Sequence, residues 1–269
     1  LGVFLVAINF SFLPVPIVWL LAVGGAVIFG AAWAFIPAYL QATRGSHVVI
    51  TTIMFNFIAA SLMVFLLVDV IRDTTQMGPH TVALPEEQWF PSFEDFAALF
   101  GIKIRYSPLN ISFLLAIAAS FFVWFLVWKT RWGYEMRAVG HNTQAAIYAG
   151  ISPYKNIIIA MCISGGLAGL LAVNEILGVH HKIVAGFPAG YGFTGIAVAL
   201  MGRNHPIGIF PAAFLFGILY QGGSEVTFDM PNITRYMFVA VQGVIILFSG
   251  ALENLFRPQI ENFFVNRLN

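Results

Sequence analysis

His180 and His181 stand side by side, five residues after Glu175 and just ahead of Lys182. Adjacent imidazoles suit a metal ion, but no third ligand with convincing metal-site spacing stands nearby, so no metal or cofactor is expected. Asp73, Glu86, Glu87, Glu94 and Asp95 crowd one polar, proline-bearing stretch. Nothing in the sequence fixes their geometry, so they define no paired-carboxylate site, and a solvated loop is the simplest reading. None of Lys103, Lys129, Lys155 and Lys182 follows a glycine. The phosphate-cradling pattern G-x-x-x-x-G-K-[ST] is therefore absent, and the chain is not expected to hydrolyse ATP itself. The patterns H-E-x-x-H and G-x-S-x-G are missing too. The single Cys162 can form no internal disulfide. The chemistry left to consider belongs to isolated polar groups inside long apolar runs, chiefly Asn56, Asn174 and Glu175.

The apolar runs dominate. Of 269 residues, 59% are hydrophobic and 9% charged, against about 25% charged in soluble domains. A water-soluble fold of this size would expose far too much apolar surface. The net charge of +1 gives no broad basic face for nucleic acid. The fold class that follows is all-α: a polytopic transmembrane helical bundle forming one domain over 1–269. A crossing takes about 20 apolar residues. Spans are expected at 17–36 (bounded by Pro16 and Pro37), 50–71, 109–128, 156–177, 206–222 and 236–252. Residues 3–13 read as the tail of a span whose start lies upstream, since the sequence opens on Leu1. Gly190 to Gly202 is apolar but short, with glycines at 190, 192, 195 and 202. It fits either a re-entrant or half-helix piece, which would point to Phe193 and Gly195 as substrate-path residues, or a short tilted helix.

Small residues recur at Ala22, Ala26, Gly30 and Ala34, and again at Gly165 and Gly169. That spacing lets helices approach closely, within one subunit or across a dimer seam. Asn56, alone and polar in its span, needs protein or a water-filled path beside it. Asn174 and Glu175 close their span, where a carboxylate sits among headgroups or lines a path. Residues 39–49 form a cytoplasmic turn or a break at membrane depth. Ser92 to Phe100 fits a short amphipathic surface helix.

One polar island, Trp132 to Ser152, separates two of the long spans. Gly133, Gly140, Gly150 and Pro153 divide it into short pieces. Asn142 to Ala149 is long enough for two helical turns, with Asn142 as cap and Ala145, Ala146 and Ala149 as a small-residue face. Placing the island inside puts Arg44, Arg203 and the C-terminal tail inside as well, in accord with the excess of Lys and Arg in short cytoplasmic loops. The stretches 72–108 and 225–235 then fall outside.

Four ordered blocks carry a resemblance. Arg137-Ala138-Val139-Gly140-His141-Asn142, followed by Ala145-Ala146 and Gly150-Ile151, resembles the coupling region of ATP-binding-cassette importer permeases of the branched-chain amino acid, ribose and simple-sugar family. Gly45 to Thr52, with Asn56, is similar to the G-V-H-E-V-I-T-T…N block of the nucleoside and simple-sugar branch. Gly192 to Leu200 resembles the re-entrant block of that branch, and Gly202-Arg203-Asn204-His205-Pro206 continues it. Val48 stands where the branch carries Glu, and one or two N-terminal spans of the family are not in this sequence.

The resemblance implies two permease subunits, identical or mixed, two ATPase subunits and an extracytoplasmic binding protein, working in the inner membrane. It makes 132–155 the segment that meets the ATPase, through Arg137, Gly140, Asn142, Ala145, Ala146, Gly150 and Ile151. Nucleosides or related ribosides would pass by alternating access along a path near Asn56, Asn174, Glu175, Phe193 and Gly195. Simple sugars or branched-chain amino acids are the alternative cargo. An ion-coupled transporter would have few intramembrane candidates beyond Glu175, and an intramembrane enzyme lacks a nameable acid–base pair.

Overall fold

The computed structural model of the chain describes residues 1–72, 78–93, 109–186 and 190–229, together with 237, 240–245 and 247–248. The chain divides into two compact units, 1–187 and 188–269. The described residues are overwhelmingly helical, and five of the helices are long and apolar enough to cross a membrane. The expected all-α, multi-pass architecture is what the chain adopts.

In the first unit, α1 (Gly2–Asn9) and a short turn lead into α2 (Val15–Arg44). A 30-residue helix is about 45 Å long, more than the roughly 30 Å of hydrocarbon. Pro37 was expected to end this span, yet the helix runs through it. Losing one N–H donor is a smaller penalty than unwinding a turn whose other polar groups would then need partners in lipid. The helix stops at Gly45, which takes the left-handed conformation (φ 63°) that a residue with a Cβ resists. Gly45 to His47 is thus a tight turn, and α3 (Val48–Phe65) begins directly after it. A π turn, Leu66–Val70, finishes α3.

Helix α4 (Ser112–Lys129) descends to α5 (Arg131–His141) and α6 (Thr143–Tyr148). Helix α7 (Pro153–Val173) returns and ends in a second π turn, Asn174–Val179. Pro153 occupies the first helical position, where its missing N–H costs nothing.

The spine of this unit is the antiparallel pair α2 and α7. A Cβ added to Gly30 or to Gly165 would fall on the other's carbonyl group, and one on Gly169 would fall on the Ala26 carbonyl. Ala34 also closes on Gly165. The two small-residue stripes seen in the sequence are therefore partners of each other within one chain. In lipid, apolar side chains gain little by leaving the solvent, so this close backbone approach is what holds such helices together.

At the far end of the spine, the stretch 78–93 was expected to be a solvated loop. Its acids Glu86 and Glu87 are exposed, as are Val82, Ala83 and Pro85. Its apolar residues Leu84 and Phe90 join a core with Val3, Phe4, Ala22, Val173, Ile176 and Leu177. The Trp19 indole donates to the Gln88 carbonyl at 2.9 Å, and Trp89 to the Leu84 carbonyl at 3.0 Å. The strap is pinned by backbone bonds from Thr81 to Ile183, Leu84 to His181 and Phe90 to Leu177. The amphipathic helix expected at 92–100 lies almost wholly outside the described residues.

The second unit opens with α8 (Tyr191–Met201), preceded by left-handed Gly190. Eleven residues reach only about 16 Å, roughly half of a crossing. A turn at 202–205 follows, with Arg203 and Asn204 at φ 56° and 52°. Helix α9 (Pro206–Asp229) then packs on α8 through Val198, Ala212 and Phe216. It extends past 222, through part of the expected loop at 225–235, because Glu225 and its neighbours continue the helical turn instead of breaking it. The expected span 236–252 lies largely outside the described residues.

Gly165→Leu should destabilise the protein by roughly 1–3 kcal/mol or more, as overpacking of a tight contact does. Gly24→Ala, with nothing within 4 Å of the new Cβ, should be neutral or slightly stabilising. Thermal unfolding midpoints of the two variants in detergent would check this; equal midpoints would contradict the spine.

Candidate functional site

The polar island folds as two helices, where the sequence suggested one short helix and loose pieces. Thr130 makes the first. It turns the chain at the end of α4, where its hydroxyl donates to the Leu126 carbonyl at 2.6 Å and accepts the Gly133 N–H at 3.2 Å. Gly133 was read as a divider, but it lies inside α5 and is buried. A Cβ there would strike the carbonyls of Leu126 and Val127, so glycine lets α5 fold back tightly under α4. Gly140 also lies within α5, in open space.

Helix α6 is capped at both ends. Asn142 accepts the Ala145 N–H at 3.0 Å, as its sequence position suggested. At the other end, Gly150 takes φ 77°. Its N–H reaches the Ile147 carbonyl, and the Ile151 N–H reaches the Ala146 carbonyl, both at 2.9 Å. This paired closure satisfies two otherwise free carbonyls. Six residues alone would not hold a helix in water; the caps and the contacts with α5 and α7 supply what length does not.

The small-residue face divides. Ala146 is buried against its own subunit at 3% exposure, whereas Ala145 and Ala149 face outward. The most prominent side chains are ones the sequence reading passed over: Ile147 is 51% exposed and Tyr148 92%. A run of Ala-Ala-Ile-Tyr ending one residue before a helix-stopping Ala-Gly carries the signal, since the residues nearest the stop cannot all pack inward. Arg137 is exposed and its Nε donates to the Gly133 carbonyl at 3.4 Å. Arg131 pairs with Glu135 at 3.0 Å on the same helix.

The expected path residues fare differently. Asn56 is exposed on α3, a helix with no buried residue. Asn174 and Glu175 are drawn into the protein. The Asn174 Oδ1 accepts from Asn110 at 3.3 Å and from the Ser112 hydroxyl, and its amide donates to Glu175 Oε1 at 3.4 Å. Glu175 is buried, with Oε2 3.4 Å from His180 Nε2. Asn110 and Ser112 were missed by sequence reading, because their contact with Asn174 spans more than 60 residues. In the second unit, Phe193 is exposed, and Gly195 has nothing within 4 Å of an added Cβ. Among the described residues, no cluster of three His, Cys, Asp or Glu side chains could hold a metal ion.

Asn142→Ala should remove the α6 cap at a cost of about 1 kcal/mol, raising hydrogen exchange at the Ala145 amide about fivefold. Asn142→Asp, which keeps an acceptor, should exchange nearly as the native protein does. Equal exchange in all three would show that the cap contributes nothing.

The comparisons bear on this geometry. A guanosine ABC transporter permease protein of Bacillus subtilis (NupP) is 36% identical over 85% of this chain and 63% of its own length. A glucose ABC transporter permease protein of Haloferax volcanii (TsgB13) is 31% identical over 98% of this chain and 69% of its own. A nucleoside ABC transporter permease protein of Lactococcus lactis (NupB) is 34% identical over 87% of this chain and 65% of its own. The chain thus spans just under two thirds of the two nucleoside-type relatives. No solved structure matches. The family model described as branched-chain amino acid transport system / permease component matches residues 1–250, and the chain belongs to that family.

Proposed function

We propose that this chain is the transmembrane permease subunit of an ATP-binding-cassette importer, moving nucleosides or related ribosides across the inner (plasma) membrane by alternating access. Its partners are ATPase subunits on separate chains, a second permease subunit and an extracytoplasmic binding protein. The observation that carries the reading is α6, a two-turn helix capped at both ends between two spans, with Ile147 and Tyr148 standing clear of the protein. Such a helix moves as a unit when pushed, and an exposed isoleucine–tyrosine pair is apolar surface of the kind a protein partner covers.

The residues 132–155 act as the coupling segment. Arg137, Gly140, Asn142, Ala145, Gly150 and Ile151 shape or present its surface, and Ala146 roots it in the subunit. Adding Tyr148 and Ile147 gives the contact its most exposed elements. The island lies on the cytoplasmic side, and the strap 78–93 lies at the outer end of the spine. Asn56, Phe193 and Gly195 remain the path candidates, each open on its own element. Asn174 and Glu175 support the path from behind, since their polar atoms are already engaged. A nucleoside suits aromatic contact plus a few hydrogen bonds.

A second cargo class has its own support. The halophile relative named for glucose covers 98% of this chain, so a simple sugar carried by the same machine is the alternative.

Transport assays with the full-length permease, its ATPase and its binding protein in vesicles test the reading. ATP-dependent nucleoside uptake is expected, and Tyr148→Ala together with Ile147→Ala should lower it at least tenfold while α6 stays folded. Uptake of a simple sugar instead keeps the machine and changes the cargo. Uptake that follows an ion gradient and ignores ATP would sink the proposal.

A further inference from the structure

His181 is placed in a way that the transport reading does not use. It follows the π turn of α7 and holds a positive φ of 57°, uncommon for a residue with a side chain. Its ring lies flat on Trp89, with centroids 3.8 Å apart and planes 10° from parallel. Its carbonyl accepts the Leu84 N–H at 2.8 Å. The strap 78–93 is therefore fastened to α7 through both the ring and the backbone of one residue. The Nδ1 atom of that ring is buried and has no hydrogen-bond partner among the described residues.

A neutral imidazole tolerates this arrangement, because an unprotonated ring nitrogen with no donor forgoes only one hydrogen bond. An imidazolium is penalised, because both ring nitrogens must then donate and Nδ1 makes no hydrogen bond. We propose that His181 is an acid-sensitive latch: its protonation releases the strap 78–93 from the end of α7.

The surrounding charges do not compensate. The strap carries His80, Glu86 and Glu87, both acids being exposed. The end of α7 carries Glu175, and the turn itself carries His180 and Lys182. The Glu175 carboxylate is occupied by His180 and Asn174. Helix α1 has no ionisable side chain, the charged residue of α2, Arg44, lies at its other end, the π turn of α3 carries Asp69, and the entry to α4 offers Asn110 and Ser112 here. Burial is the largest influence on the ring and pushes its pKa below the ordinary value. The nearby Leu177 carbonyl pulls it up, and the charge of His180 pushes it down again.

The sign follows from that direction. A histidine with a lowered folded pKa stabilises the docked state fully above the unfolded value of about 6.5. That contribution fades as pH falls from there towards the lowered value. One opposing force is built in, since the face of Trp89 attracts a cation. The unmatched Nδ1 and the burial act against it.

Hydrogen exchange on the full-length protein in lipid nanodiscs, at about pH 7.5 and about pH 5 on either side of the histidine range, reads the latch directly. Protection of the Thr81, Leu84 and Phe90 amides, after correction for intrinsic rates, should fall at the lower pH. Amides along the spine, such as Gly30 and Gly165, should hold theirs. His181→Phe, which keeps a ring on Trp89 without a titratable group, should abolish the fall, whereas His180→Gln should leave it in place. An NMR titration of the native protein with labelled histidine covers the case of a variant that does not fold. There the His181 ring should titrate below about 6.5. Protection that rises on acidification, a ring that titrates above that value, or a response that follows His180 instead would each overturn the proposal.

Discussion

Two backbones in contact hold the rest of this structure in place. Where α2 meets α7, Gly30, Gly165 and Gly169 leave no room for a methyl group between the helices. Lipid gives no hydrophobic reason for one apolar helix to prefer another, so van der Waals contact between closely fitted backbones must supply the attraction. Helices α3 and α4 show the contrast. They have almost no buried surface of their own, and neither has a small-residue stripe of comparable length facing a neighbour. The paired helices form the fixed member of the first unit, and the other elements hang from its two ends.

The two ends satisfy their polar groups by opposite means. At the end of α7 that ends in the π turn, most are matched within the chain, with His181 Nδ1 and Gln88 Oε1 as exceptions. Asn110, Ser112 and Asn174 form one amide–hydroxyl cluster, Glu175 leans on His180 and Asn174, and the tryptophans of α2 and the strap donate to strap carbonyls. The π turn matters here. Widening the last turn of α7 leaves carbonyls such as Leu177 free to accept from the strap. At the other end, α5 and α6 are satisfied by short-range bonds within themselves and their flanking turns, and present Trp132, Tyr134, Ile147 and Tyr148 outward. Apolar surface at the edge of a membrane domain, held on capped helices, suits a partner that arrives from outside the chain.

What could be read from the sequence was local. Asn142 as a cap and Gly150 as a divider each act within four residues, and each does so in the structure. The small-residue stripes were legible as well, but not their pairing, because nothing in Ala26 or Gly30 names Gly165 as its counterpart. Breaker rules failed where tertiary contacts outweighed them. Pro37 stays inside α2, and Gly133 serves α5 because a larger residue would collide with the end of α4. The strap was the largest misreading. Its polar letters and prolines suggest a loop, while Leu84, Trp89 and Phe90 anchor it to residues about 90 positions away in sequence. The engagement of Asn174 by Asn110 and Ser112 was hidden for the same reason, since those partners lie more than 60 positions away.

The connection between α6 and α7 shows how the two ends can work as one. Ala149, Gly150, Ile151 and Ser152 are all that separate them, and each is held: Ala149, Gly150 and Ile151 by carbonyls of α6, Ser152 by the Asn156 amide donating to its carbonyl at 3.1 Å. A hinge needs backbone freedom, and this junction has little. A displacement of α6 is therefore carried into the first turn of α7. Further along, α7 is locked to α2 at Gly165 and Gly169, so the movement cannot be absorbed by bending there without breaking the tightest contact in the unit. The slack lies instead in α3 and α4, whose faces the first unit leaves largely unpacked. In the proposed coupling role, a push on the exposed tyrosine of α6 is thus expected to move the spine as a rigid body against helices that are free to slide, as alternating access would require.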